Sequence, residues 1–227
     1  MDVTLHYKES GSGEPLLLLH GNGDDSSYFD GQIPYFSKKY RVTAIDTRGH
    51  GKSPRGSAPF SIRQFAEDLN AFMEGHNIPN ADILGFSDGA NIALLFALKY
   101  PQKVNRLIVN GADLFTGGVK RYVQLPIELG YKMAALFAGR SAKARKNAEM
   151  LGLMVNDPRI NPEELDALTM PALVIAGTKD IIKASHTRLI YDHLPNARLA
   201  FIEGGHFIAK QNPDAFNAAV DAFLSGQ

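Results

Sequence analysis

The sequence predicts an α/β protein built on an open, mostly parallel sheet of about seven strands, with helices on both faces. Short apolar runs of strand length alternate along the chain with longer segments whose apolar residues recur at helical spacing. Several of the runs are apolar at nearly every position, which is typical of parallel strands covered on both faces. Ligands of such sheets bind at the carboxyl ends of the strands, so functional residues are expected there.

The predicted strands fall into two kinds. Residues 3–7 alternate between apolar and polar side chains, which indicates an edge strand. The remaining runs are more continuously apolar and predict core strands at 16–19, 41–46, 81–86, 106–111, 172–177 and 197–204.

Three segments outside the predicted strands have helical patterns. Residues 61–77 carry apolar side chains at helical spacing, and Ser61 and Gln64 have the spacing of a capping box. Residues 88–100 are apolar nearly all round, which predicts a buried helix. Residues 212–224 begin with an Asn-Pro pair, which is typical of a helix N-terminus.

One region interrupts the alternation of strands and helices. Residues 114–170 contain no convincing strand, so we expect a small helical lid inserted into a core formed by 1–113 and 171–227. Its helical stretches are predicted near 119–137, 141–153 and 162–168, with interruptions at Pro126 and at the sequence NDPRINP.

Composition excludes several classes of function. The 24 Lys and Arg residues balance 24 Asp and Glu residues, so there is no overall charge to attract nucleic acid or an anionic membrane. The absence of cysteine excludes a thiolate nucleophile and disulfides. The N-terminus lacks the pattern of a signal peptide, and the longest apolar runs are far shorter than the ~20 residues of a membrane span. We therefore expect a cytoplasmic protein without a nucleic-acid or membrane partner.

The sequence GFSDG, residues 85–89, lies between the predicted strand 81–86 and the predicted helix 88–100. A G-x-S-x-G sequence at a strand-to-helix turn is typical of a serine nucleophile held on a sharp turn above a sheet. Ser87 is therefore the predicted nucleophile. The alternative is an ordinary glycine-rich turn in which Ser87 only caps the helix.

A serine hydroxyl needs a base to remove its proton. Among seven histidines, His206 follows the last predicted strand and two glycines, and Asp180 follows the strand at 172–177. We predict His206 as the base and Asp180 as the acid that orients it. Asp113 is kept as a substitute acid and His50 as a minor rival base. A plain loop histidine and a helix-capping aspartate are the alternatives for the predicted pair.

The sequence HGNG follows the first core strand, at the same edge of the predicted sheet. The backbone N–H groups of Asn22 and Asp88 are the predicted donors to an oxyanion beside Ser87. Gly21 and Asp88 are candidate substrate contacts. The Asp88 carboxylate also suits a helix N-terminus electrostatically, which is its alternative role.

The predicted lid is strongly basic over residues 119–146. This stretch could attract an acidic substrate or partner, or it could be a solvated helix face. It contains one acidic residue, Glu128, and seven basic residues: Lys120, Arg121, Lys132, Arg140, Lys143, Arg145 and Lys146.

Over nearly its whole length the chain resembles the α/β-hydrolase fold family, through GSGEPLLLLHGNG, DTRGHGKS, GFSDG, VIAGTKD and GGH in that order. It looks closest to the esterase branch that includes biphenyl hydrolase-like proteins (valacyclovirases) and, more distantly, proline iminopeptidases. The family's usual first strand is missing, the lid is shorter than usual, and the lid signature of proline iminopeptidases is not evident.

The resemblance implies a serine hydrolase that cleaves a small-molecule carboxylic ester through an acyl-enzyme, without a metal or cofactor. In the related esterase branch a carboxylate at the position of Asp88 receives an α-amino group, which implies an aminopeptidase or amino-acid ester hydrolase as an alternative. A cofactor-free perhydrolase or haloperoxidase, a lyase and a non-catalytic ligand-binding protein are further alternatives, since one fold hosts many functions.

Overall fold

The computed structural model describes residues 2–226 and contains one seven-stranded sheet. The strand order is β1-β3-β2-β4-β5-β6-β7; β1 runs antiparallel to β3, and all other neighbours are parallel. The strands are β1 (Tyr7–Ser10), β2 (Glu14–Leu19), β3 (Tyr40–Ile45), β4 (Ala81–Phe86), β5 (Val104–Asn110), β6 (Ala172–Gly177) and β7 (Ala197–Ile202). The predicted α/β architecture is confirmed.

Eight α-helices accompany the sheet in the described chain. They are α1 (Ile33–Phe36), α2 (Ile62–Gly75), α3 (Asp88–Lys99), α4 (Arg121–Phe137), α5 (Ala142–Asn156), α6 (Ala184–Asp192), α7 (Ile208–Gln211) and α8 (Pro213–Leu224). Only half of the predicted capping box forms at α2. Ser61 Oγ accepts from the Gln64 N–H at 3.2 Å, but the Gln64 side chain donates to Asp68 instead. No helix of residues 2–226 is long and apolar enough to cross a membrane.

Two apolar layers cover the two faces of the sheet. In β2, Leu17 and Leu19 face the layer that includes α2 and α3, while Leu16 and Leu18 face the layer that includes α8. All four side chains are fully buried, and burying each contributes about 1.5–3 kcal/mol. Burial on both faces explains why the core strands are apolar at nearly every position.

The predicted edge strand is wrong in its position. The structure places it at Tyr7–Ser10, where Tyr7 pairs with Ile45, and not at residues 3–7. Val3 and Leu5 are buried in the core although they lie before the strand. Their inward-facing side chains produced the alternating pattern, while the ladder of backbone hydrogen bonds begins later.

Segment 114–170, the predicted lid, connects β5 to β6 and contains α4, α5 and a 3₁₀ turn at Pro162–Ala167. Pro126 was expected to interrupt a helix, but α4 continues through it. The proline is tolerated because it lies on the exposed side of the helix. Its missing N–H therefore leaves unpaired a carbonyl that water can reach. Leu165 and Leu168 are buried in the same layer as α3, so the end of the segment packs into the core.

The order of the strands reverses between β2 and β4. The chain leaves β2 towards β3 on one side and later returns to β4 on the other, with Leu19 of β2 opposite Gly85 of β4. A crevice at the carboxyl ends of the strands is expected at such a reversal. The loop that begins at His20 and the turn at Ser87 therefore lie side by side.

Candidate active site

Ser87 lies at the sharp turn between β4 and α3. Its backbone has a φ of 53°, a conformation that non-glycine residues seldom adopt and that often marks functional turns. A Cβ atom on Gly85 would overlap the carbonyl oxygen of Gly89, and one on Gly89 would overlap that of Leu19. The two glycines thus allow the strand and the helix to approach closely enough for this turn.

The three residues predicted from the motifs meet above the sheet. His206 Nε2 lies 3.0 Å from Ser87 Oγ, and His206 Nδ1 lies 2.7 Å from Asp180 Oδ1. Ser87 follows β4, Asp180 follows β6 and His206 follows β7, so three strand ends deliver them. The Asp180 and His206 side chains are both buried.

The hydrogen-bond partners fix the direction of each bond. Asp180 Oδ1 accepts from the Ile182 N–H at 2.9 Å and from the ring of His206. Because a carboxylate only accepts, Nδ1 of His206 carries the proton, and Nε2 is left to accept from the Ser87 hydroxyl. The arrangement can move a proton from the serine to the imidazole.

The two rival groups are engaged elsewhere. Asp113 accepts from Asn91 Nδ2 at 3.2 Å and makes no hydrogen bond to His206. Its carboxyl is nevertheless close enough for the imidazole to affect its pKa, which burial raises to about 6. His50 Nδ1 lies within hydrogen-bond distance of Thr47 Oγ1 and the Arg48 carbonyl, so it is not directed at the serine.

The predicted oxyanion loop lies against the serine. A Cβ atom on Gly21 would lie 3.1 Å from Ser87 Cβ, so the loop and the nucleophile turn are in contact. His20 holds the loop: its Nε2 accepts from the Thr47 N–H at 3.0 Å, and its Nδ1 donates to the Gly21 carbonyl at 2.7 Å. Burial lowers the pKa of His20, in agreement with this neutral ring.

The backbone N–H groups of Asn22 and Asp88 remain candidate oxyanion donors. Among the turn, loop and cap hydrogen bonds of residues 2–226, neither N–H has a backbone acceptor. The side chain of Asn22 is used differently, because its Nδ2 donates to the Met150 carbonyl of α5 at 2.7 Å. Asn22 therefore also ties segment 114–170 to the loop beside the serine.

A small cavity opens onto Ser87 and His206 beneath segment 114–170. Its free volume is about 40 Å³, enough for a water molecule or two but not for an ester substrate. Apolar side chains from this segment, including Ile127, Leu153 and Met154, form part of its wall. A substrate therefore requires the segment, or the side chains that it contributes to this wall, to move.

Three carboxyl groups line the same cavity: Asp88, Asp113 and Asp157. Oδ2 of Asp88 is buried and has no hydrogen-bond partner within residues 2–226. Burial, with the neighbouring carboxyls of Asp113 and Asp157, raises the pKa of Asp88 to about 8. Burial also raises the pKa of Asp157. No group of three or more metal-ligating side chains in the described chain is placed to hold a metal ion.

Sequence reasoning did not single out Asp157 and Gln124 as parts of this site. Both belong to segment 114–170, and nothing in their local sequence places them near Ser87. Gly111 was missed as well, although its position directly after β5 was a usable signal. Its φ is 63°, and a Cβ atom there would lie 2.8 Å from the ring of His206.

The family model described as "alpha/beta hydrolase fold" matches residues 14–140, more than half of the 227-residue chain. The chain belongs to the α/β-hydrolase fold family. The resemblance read from the motifs is thereby confirmed. The matched region of this α/β hydrolase includes the predicted oxyanion loop and the turn at Ser87.

Similar proteins of known name are hydrolases of several kinds. The 2-hydroxy-6-oxononadienedioate/2-hydroxy-6-oxononatrienedioate hydrolase 1 of Dechloromonas aromatica is 31% identical, with 99% of this chain and 92% of that protein covered. The 3-oxoadipate enol-lactonase 2 of Acinetobacter baylyi is 27% identical, with 98% and 94% covered. The serine hydrolase BPHL of Homo sapiens is also 27% identical, with 98% and 83% covered. These similarities support a hydrolase and leave open which bond it cleaves.

Proposed function

We propose that this α/β hydrolase cleaves small carboxylic esters, including lactones, with Ser87 as nucleophile, His206 as base and Asp180 as the acid. The observation that carries the proposal is the continuous hydrogen-bonded chain from Ser87 Oγ through His206 to Asp180, at 3.0 and 2.7 Å. It lies where three parallel strands end, and it opens onto a cavity. The fold alone would not support a reaction, but this geometry does.

In the acylation step, Ser87 Oγ attacks the ester carbonyl carbon while its proton passes to His206 Nε2. The carbonyl π bond breaks and leaves a tetrahedral oxyanion, to which the backbone N–H groups of Asn22 and Asp88 would donate. Asp180 stabilises the imidazolium through Nδ1. The tetrahedral species collapses as the C–O bond to the alcohol breaks, and His206 returns its proton to that oxygen.

In the deacylation step, water takes the place of the departed alcohol. His206 removes a proton from the water, whose oxygen attacks the acyl carbon of the serine ester. The second tetrahedral species releases the carboxylic acid and regenerates the Ser87 hydroxyl with the proton held by His206. The net reaction consumes one water and one ester and yields one acid and one alcohol, which for a lactone are the two ends of one hydroxy acid.

Steady-state kinetics with an activated acetate ester test this assignment. We expect Ser87→Ala and His206→Ala each to lower kcat by about 10⁶, and Asp180→Asn by about 10⁴. Ser141→Ala is a matched control, because Ser141 caps α5 at the surface and should leave kcat unchanged. Comparable activity in Ser87→Ala and the wild type would refute the proposed nucleophile.

A second candidate function, hydrolysis of amino-acid esters, is favoured by the buried Asp88 carboxyl. A carboxylate that is buried without a partner is costly, and a cationic ammonium group would satisfy it. Asp113 and Asp157 add negative charge to the same cavity, so a dicarboxylate substrate would be repelled. The cavity therefore suits a neutral or cationic acyl group better than the dioate named for the Dechloromonas relative.

Three esters of the same alcohol separate these cases: an acetate, an alanine ester and a hemisuccinate. If Asp88 binds the amino group, kcat/KM is highest for the alanine ester and lowest for the hemisuccinate. In Asp88→Asn the advantage of the alanine ester should fall by about 10-fold or more while acetate hydrolysis persists. An unchanged preference in this variant would rule out the amino-group role.

The pH dependence provides an independent check. Because Asp88 has a pKa of about 8, it must lose its proton to bind an ammonium group. The preference for the alanine ester should therefore increase as the pH rises from 6 towards 8, and decrease once the substrate amine loses its own proton near pH 8. The kcat/KM for the acetate ester should not show this rise and fall, because acetate has no amino group.

A further inference from the structure

Helix α4 presents its apolar face to solvent. Its only fully buried side chain is polar, that of Gln124, while Tyr122 and Leu136 are each 71% exposed. Of the nine large hydrophobic residues exposed in residues 2–226, six lie on this one helix: Tyr122, Leu125, Leu129, Met133, Leu136 and Phe137. Scattered exposed leucines need no explanation, but a contiguous apolar patch of this kind indicates an interaction surface.

The six side chains form one stripe. Their three- and four-residue spacing places them on the same side of the helix, and from Tyr122 to Phe137 the stripe extends about 22 Å. A groove of about 380 Å³ between α4 and α5 continues the apolar surface, and its wall includes Met133, Phe137 and Lys143. Basic and apolar groups therefore adjoin each other.

The segment that carries the stripe is strongly basic. Residues 119–146 hold seven of the 24 basic residues and one of the 24 acidic residues, which leaves 17 basic and 23 acidic residues for the rest of the chain. None of the seven forms a salt bridge within residues 2–226. The balanced net charge predicts no membrane partner, but it hides a basic apolar face on an otherwise acidic molecule.

We propose that this face, α4 with the first turn of α5, docks on an anionic lipid surface. Leucine, methionine and aromatic side chains would enter the boundary between headgroups and acyl chains, and exposed basic side chains of the same segment, such as Lys132 and Lys143, would meet the lipid phosphates. The acidic remainder of the molecule would point away from the membrane. The docked protein lies on the surface and does not span it.

A second copy of the chain fits this face less well. In a symmetric dimer the same patch meets itself, so basic residues beside the stripe, such as Lys143, would face those of the other copy. Basic side chains that face each other across an interface oppose association, whereas an anionic lipid surface attracts them. The charge pattern thus favours lipid over self-association.

Co-sedimentation with phosphatidylcholine vesicles, with and without phosphatidylglycerol, tests the proposal. The wild type should bind only the vesicles that contain phosphatidylglycerol. Binding should weaken as salt rises from about 0.1 M to 1 M, because the Debye length falls from about 10 Å to 3 Å. Lys132→Ala and Lys143→Ala should each weaken binding about fivefold.

Leu129→Glu tests the apolar stripe and should weaken binding about 10- to 100-fold. Tyr35→Glu is its matched control, since Tyr35 is an exposed aromatic residue outside segment 114–170 and the substitution makes the same change in charge. Because Leu129 and Tyr35 are both exposed, both variants should keep the wild-type melting temperature and fluorophosphonate labelling. Vesicle co-sedimentation does not depend on activity, so the docking proposal can fail while the proposed function stands.

Two results would overturn the proposal. One is wild-type protein that does not sediment with phosphatidylglycerol vesicles at low salt. The other is sedimentation velocity that shows a wild-type dimer which Leu129→Glu converts to monomer, because a second copy would then cover the stripe.

Discussion

At the scale of single residues, Gly21 lies directly against the nucleophile turn. A Cβ atom at position 21 would lie 3.1 Å from Ser87 Cβ and 3.0 Å from the ring of Phe86. Gly21→Ala should therefore displace the nucleophile by a few tenths of an ångström. Since a 1 Å misplacement can cost about 10²-fold in rate, we expect kcat/KM for an activated ester to fall about 10-fold.

Gly31→Ala is the control for this substitution. A Cβ atom on Gly31 would meet no atom within 4 Å, so the variant should retain wild-type kcat/KM. Equal kcat/KM for Gly21→Ala and the wild type would show that the loop beside Ser87 has room that the structure does not show.

Asp88 is predicted to make the fold less stable as the pH rises. An unfolded aspartate has a pKa of about 3.9, and burial raises the pKa of Asp88 to about 8 in the folded protein. Because the folded state holds the proton more tightly, Asp88 contributes to the free energy of unfolding. That contribution is fully present below pH 4 and is lost as the pH rises through about 8. Asp113, with a raised pKa of about 6, acts in the same direction.

Asp88→Asn replaces the carboxyl, whose ionisation is opposed by burial, with a neutral amide. The new amide N–H can donate to the neighbouring carboxyls of Asp113 and Asp157. We expect its melting temperature at pH 8 to exceed that of the wild type by at least 2–4 °C, about 1 kcal/mol for a chain of this size. The difference should shrink towards pH 4. Thermal melts between pH 4 and pH 8 provide the measurement. A difference in melting temperature that stays the same at every pH would contradict the role given to Asp88.

At the scale of elements, the turn between β4 and α3 depends on two glycines that allow close packing. A Cβ atom on Gly89 would overlap backbone atoms of Leu19 and His20, which cannot move aside as a side chain can. We expect Gly89→Ala to lower the free energy of unfolding by about 3 kcal/mol or more. Gly75 at the end of α2 has no atom within 4 Å of its Cβ position. Gly75→Ala should therefore be neutral or gain up to about 1 kcal/mol.

Urea unfolding of the two alanine variants provides the measurement. We expect the urea midpoint to drop for Gly89→Ala and to hold or rise for Gly75→Ala, with the same slope for both. Similar midpoints for the two variants would mean that the closeness of α3 to β2 is not what requires glycine at position 89.

The core elements were predictable because burial leaves a strong pattern. Apolar runs located β2 to β7, and the all-round apolar character of 88–100 located α3, where ten of twelve residues are buried. The edge strand was misplaced, because Val3 and Leu5 are buried without being part of the sheet. Side-chain burial and backbone pairing are separate properties, and a sequence pattern reports only the first.

The candidate site was partly predictable for a related reason. Ser87, Asp180 and His206 each follow a strand, and the carboxyl ends of parallel strands meet at one edge of the sheet. Asp157 comes from segment 114–170, whose path over the sheet is set by tertiary packing. The carboxyl-lined cavity therefore emerged only from the structure.

At the scale of the whole molecule, access to the site depends on segment 114–170. The cavity beneath it has only about 40 Å³ of free volume, and polar contacts hold its helix α5 in place. Arg55 donates to Glu149, and Asn22 donates to the Met150 carbonyl. Both contacts are made by loops that follow sheet strands, so moving α5 away from the sheet would break both.

The central claim is that Ser87 is a nucleophile activated by His206 and Asp180. The most direct measurement is treatment with a fluorophosphonate, followed by intact mass and peptide mapping, with His206→Ala and Asp180→Asn alongside the wild type. We predict a single adduct on Ser87 that forms far more slowly in both variants. A folded wild-type protein that acquires no adduct, or one labelled at another residue, would contradict the claim.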